Sequence, residues 1–126
     1  MSESNTEISP TNSTHIRTMV LAYYEDCIIA SSALQTWMLS RRGSFRSAYI
    51  PFFQSFVKLY QTTRSLNTLN IDTTAPLKRD IEKWISGNVG IRTMTPREQL
   101  NFTKRGLFLF EMWGKLLYDQ TIIEFR

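Results

Sequence analysis

A chain of 126 residues and 14.7 kDa has room for one domain, since independent cores need on the order of 100 to 150 residues each. With 42% hydrophobic, 13% aromatic and 21% charged residues, it carries too much apolar material to be disordered overall. A net charge of +4 leaves phosphate-bearing partners open, and a single cysteine, Cys27, excludes an internal disulfide.

A lone thiol with no CxxC pair or metal-ligand spacing around it suits a reducing compartment. The first fifteen residues, MSESNTEISPTNSTH, are polar and acidic, the opposite of a basic stretch followed by an apolar one, so a cytoplasmic protein is expected. No membrane span is expected either. The longest apolar-looking stretch, Met19 to Leu39, contains Glu25 and Asp26, and a bilayer centre tolerates such charges poorly.

After Met1, residues 2 to 12 are Ser, Thr, Asn, Glu and Pro with one large apolar side chain, Ile8, and residues 1 to 12 read as a flexible tail ahead of a helical domain over 13 to 126. From Ile16 the spacing changes. Ile16, Val20, Tyr23, Cys27, Ala30, Leu34 and Trp37 recur every three or four residues, which predicts a helix over about 14 to 41 with Ser13 or Thr14 as its N-cap. Gly43 marks its end, with Arg41 and Arg42 against the negative end of the helix dipole.

A second helix is predicted over about 45 to 66 from Phe45, Tyr49, Phe52, Phe53, Phe56, Leu59, Tyr60 and Leu66. Pro51 either kinks this helix or begins it, and the apolar spacing continuing in phase across the proline favours the kink. The stretch NTLNIDTT, 67 to 74, reads as a loop because short polar side chains compete for the backbone. A third helix then opens at Thr74 and Pro76 with Leu77, Ile81, Trp84 and Ile85 on one face, and stops at Gly87. Residues 87 to 94, GNVGIRTM, suggest an extended connector.

Thr95-Pro96-Arg97-Glu98 is the clearest local signal: a capping threonine, proline at the first helical position, and a glutamate three residues on that can bond back to the cap. It begins a fourth helix that ends between Tyr118 and Glu124. In Leu107 to Tyr118 only Glu111, Gly114 and Lys115 are not large and apolar. Gly106 and Gly114, eight residues apart, suggest the close approach of another helix. Four amphipathic helices with short connections and no strand-period alternation predict an all-α antiparallel four-helix bundle.

No constellation spells out a reaction. His15, the one histidine, sits where the tail meets the first helix, and the phase of Cys27 points into the core. Glu25 and Asp26 are helix neighbours splayed by about 100 degrees, unsuited to clasping one metal. Gly87-Asn88-Val89-Gly90 lacks the following Lys-Ser/Thr of a phosphate cradle. A non-enzyme is therefore expected, with no metal, no cofactor and no evident small-molecule substrate.

Two binding functions are carried forward. The apolar surface of the fourth helix wraps most of its circumference, which suggests an assembly module, a homo-oligomer or protein-partner binder, with Phe108, Met112 and Trp113 as anchors. The alternative is a nucleic-acid-binding helical protein or a ribonucleoprotein subunit. No acidic residue lies between Cys27 and Ile71, whereas Arg41, Arg42, Arg46, Lys58 and Arg64 do. Arg41, Arg42 and Arg46 cluster at the first turn, beside Phe45 and Tyr49, rings that can stack on bases or simply continue the core stripe.

Overall fold

The computed structural model describes residues 10–66, 71–120 and 122–123, and it is all-α among them. Four α-helices follow in order: α1 Pro10–Ser40, α2 Phe45–Thr63, α3 Ile71–Gly87 and α4 Pro96–Asp119, with a 3-10 helix, Asn88–Thr93, between the last two. Residues 1–9 of the expected tail lie outside the described residues, and residues 10–12 belong to α1.

Side-chain contacts fix the helix directions. Trp37 meets Phe45 while Tyr23 meets Lys58, so α1 and α2 run oppositely. Tyr60 reaches Glu82 and Tyr49 reaches Asn88, which reverses α3 against α2. Asp80 pairs with Arg105 and Trp84 stacks on Phe102, which reverses α4 against α3. The up-down-up-down order follows.

At 1.5 Å per residue α1 is about 46 Å long against about 28 Å for α2, so its first turns pass beyond the end of its partner. That explains why Ile16, expected in the core stripe, is exposed, whereas Val20, Cys27, Ala30 and Leu34 are buried. Because the helix begins at Pro10, Ser13 and Thr14 lie inside it and are not its cap. At the other end the first left-handed residue is Arg41 (φ 56°), whose backbone N–H bonds the Trp37 carbonyl, and Gly43 (φ 81°) is the second.

Pro51 lies within α2, so the helix starts before it. The carbonyl deprived of its partner belongs to Ser47, which is exposed to water, and this lowers the cost of an interior proline. α3 starts at Ile71, five residues before Pro76, and the added turn takes Thr74 into the core. The 87 to 94 connector is helical rather than extended across residues 88–93, and only Met94 at its end is extended. Side chains tie it down: Tyr49 Oη donates to Asn88 Oδ1 (2.7 Å), Thr93 Oγ1 to the Gly90 carbonyl (2.8 Å) and Gln99 Nε2 to the Ile91 carbonyl (3.0 Å). Those bonds override the weak helical preference of glycine and β-branched residues. The capping box at Thr95 forms as expected, with Thr95 Oγ1 accepting from the Glu98 amide and Glu98 Oε1 from the Thr95 amide.

The core is aromatic and centres on Trp84, whose ring lies 5.3 to 5.7 Å from those of Phe53, Phe56 and Phe102 and whose Nε1 donates to the Phe102 carbonyl. Both α4 glycines are ring seats, not places where helix backbones meet. The Trp84 indole occupies the space a Cβ on Gly106 would need, and Tyr24 of α1 lies 2.8 Å from a Cβ built on Gly114.

Candidate functional site

The end of the bundle where α1 meets α2 and α3 passes into α4 gathers arginines. Arg41, Arg42 and Arg46 are exposed around the first turn, and the 3-10 helix adds Arg92, which the sequence alone does not place nearby. None of the four pairs with a carboxylate among the described residues. The ion pairs there are Arg64 with Glu82 (3.1 Å), Arg105 with Asp80 (3.6 Å) and Lys115 with Asp119 (3.7 Å).

The arginines differ in freedom. Arg41 is folded back on its own helix: Nε donates to the Met38 carbonyl (3.0 Å) and the guanidinium lies 5.3 Å from the Trp37 ring centroid. It caps the Met38 carbonyl, as a cation near a helix C-terminus should. Arg42 borders an open groove of about 780 Å³ between α1 and α2, walled by Ala33, Ser40, Ser44 and Ser47. Arg46 borders a second cleft, of about 320 Å³, together with Arg92.

The aromatic rings beside these arginines are mostly committed. Phe45, Tyr49 and Phe53, one turn apart on α2, stack in series with centroids 5.1 and 5.9 Å apart. Tyr49 is buried, its hydroxyl is spent on Asn88, and burial pushes its pKa up, so it has no face free for a base. Phe45 remains half-exposed.

On α4 the three expected anchors separate. Phe108 and Met112, four residues apart and so on one face, are 51% and 39% exposed. Trp113 is fully buried and does not belong with them. One step further round the helix it joins Leu109, Phe110 and Leu117, and its Nε1 donates to Thr63 Oγ1 (2.8 Å). The Arg105 guanidinium lies 5.9 Å from the Phe108 ring centroid and so flanks one side of it. Ile29 on α1 is more exposed still, at 70%.

The remaining candidates for chemistry stay apart. His15 is exposed on the first turns of α1, and Glu25 and Asp26 are both exposed. Cys27 is fully buried, and burial, with Asp26 adding to it, pushes its thiol up to about 12, far from a reactive thiolate. Among the described residues no group of three or more His, Cys, Asp or Glu is placed to hold a metal ion, and no helix is long and apolar enough to cross a membrane. No family model, no curated protein and no solved structure matches the chain.

Proposed function

We propose that this protein is a helical interaction module that self-associates through the outward face of α4. The supporting observation is the exposure of Phe108 and Met112 at the middle of that helix, above a core already filled by Leu109, Phe110, Trp113 and Leu117. An apolar centre ringed by Lys104, Arg105, Glu111 and Lys115 has the composition of an interface core with a polar rim. A buried thiol held protonated fits the reducing cytoplasm. Light scattering behind a sizing column, run from low micromolar to near-millimolar protein, tests the proposal. The expected result is a mass above one chain that returns to one chain in Phe108→Glu and Met112→Glu. A single-chain mass throughout the series refutes it.

A second function, nucleic-acid binding, is favoured by the basic end of the bundle, where Arg42 and Arg46 are exposed and lack carboxylate partners among the described residues. Filter binding to mixed single and double strands would then fall with salt at a slope of about −0.9 per phosphate neutralised on duplex DNA. Arg42→Gln and Arg46→Gln would lower that slope. Arg41→Gln would do less, since its guanidinium is already engaged.

A further inference from the structure

The cleft between α2 and the 3-10 helix joins Arg46, which nucleic-acid binding would also use, to features that neither proposed function uses. Its apolar floor is half-buried Phe45 and Phe53, with buried Tyr49 stacked between them and held in place by its hydrogen bond to Asn88. Ile50, Val89 and Ile91 extend the apolar lining, and Val89 is 91% exposed despite being a large aliphatic residue. Arg46 and Arg92 line the same space from two different elements. Asn88 has accepted from Tyr49 through Oδ1, and its amide nitrogen donates to no partner among the described residues. The cleft therefore offers two guanidiniums and an amide N–H₂, all donors, beside an apolar floor.

A bare anion would gain from the donors but leave the floor wet, and a neutral apolar molecule would leave the arginines unanswered. We propose that this cleft binds a small organic anion: a carboxylate or phosphate carried on one aromatic ring or a short branched chain. The volume of about 320 Å³ lies at the small end of the range of about 300 to 1,000 Å³ typical of ligand pockets, which limits the apolar body to roughly one ring. The oxyanion takes a guanidinium fork from Arg46 or Arg92, the geometry in which arginine recognises carboxylate and phosphate. The ring lies against the open edges of Phe45 and Phe53.

Titration of the intact ¹⁵N-labelled protein with 3-phenylpropionate and with phenyl phosphate tests this and separates the two oxyanions. Saturable shifts are expected at amides within 45–53 and 88–92, with 3-phenylpropionamide binding at least about tenfold more weakly than the acid. Arg46→Gln/Arg92→Gln should weaken binding about tenfold or more, as loss of a charge-assisted bond implies. Arg79→Gln/Lys83→Gln, which removes the same net charge from an exposed part of α3, should leave it unchanged. The proposal is overturned if no saturable shift develops up to the solubility limit, if the neutral amide binds as well as the acid, or if the two double variants behave alike. It also fails if inorganic phosphate binds as tightly as phenyl phosphate, since the apolar floor would then contribute nothing. Sizing-column mass is independent of all these readouts, so the self-association of α4 stands or falls separately.

Discussion

Trp113 of α4 donates its indole N–H to the hydroxyl of Thr63 in the last turn of α2, a 2.8 Å hydrogen bond between fully buried side chains 50 residues apart. Thr63 gives its own proton to the Leu59 carbonyl at 2.7 Å, so the threonine accepts and donates at once. Valine has nearly the shape of threonine but cannot accept. Thr63→Val should therefore strand the indole N–H at a cost of about 1 to 3 kcal/mol in urea unfolding. Trp113→Phe loses packing as well. In the double variant the losses should sum to about 1 kcal/mol less than the singles, because the stranded donor is gone. Strict additivity would show that the bond contributes nothing.

Glycine substitutions should sort by what surrounds them. Gly106→Ala forces a methyl into the Trp84 indole and should cost about 3 kcal/mol, the upper range for overpacking. Gly43→Ala meets no atom within 4 Å, yet its φ of 81° should make it cost about 1 to 2 kcal/mol. Gly90→Ala has open space and no left-handed backbone, and should be neutral or gain up to about 1 kcal/mol. Thermal unfolding of the three variants checks the order.

Stability should fall on the alkaline side. Burial raises the Cys27 pKa from 9.0 to about 12, so above pH 9 the unfolded chain loses a proton that the folded chain keeps. Unfolding then becomes easier by about 1.4 kcal/mol per pH unit until about pH 12. Tyr49 and Tyr60 are raised from 10.0, both by burial first and Tyr60 also through its hydrogen bond to Glu82, and they steepen the fall above pH 10. Between pH 9 and 10 the descent should vanish in Cys27→Ala. If its profile there matches the parent protein's, the thiol is not the cause. At neutral pH, disulfide-exchange reagents should label Cys27 only as fast as the fold opens.

Tyr49→Phe removes the hydrogen bond that fastens the 3-10 helix to α2, at a cost of about 1 kcal/mol. Hydrogen exchange should speed up across 88–94 while the middle of α4 stays protected. Unchanged protection in that segment would mean the remaining side-chain ties are sufficient.

Periodicity made the helical regions legible because each buried stripe is continuous: Val20 to Leu34 on α1, Tyr49 to Tyr60 on α2, Ile81 and Trp84 on α3. The capping box at Thr95 was legible because both its bonds are local. The 88 to 93 segment was not, since the bond from Tyr49 that holds it comes from 39 positions earlier in the chain. Trp113 was misplaced for a related reason. Where nearly every residue is apolar, as over 107–118, spacing no longer distinguishes the face that packs from the one left outside, and contact with Tyr60 and Thr63 of α2 decides it for Trp113. Arg92 belongs with Arg46 through tertiary folding alone, which is why the basic end was only partly visible.

The seating of Trp84 on Gly106 ties the histories of two positions together. Neither changes without cost in isolation: bulk gained at 106 has nowhere to go while the indole is present, and a smaller residue at 84 leaves an unfilled hollow in a dense interior. A lineage could cross from this pair to another only by losing the large ring first and then filling the space from the opposite helix, so divergent versions of this protein should show mass traded between 84 and 106 in that order.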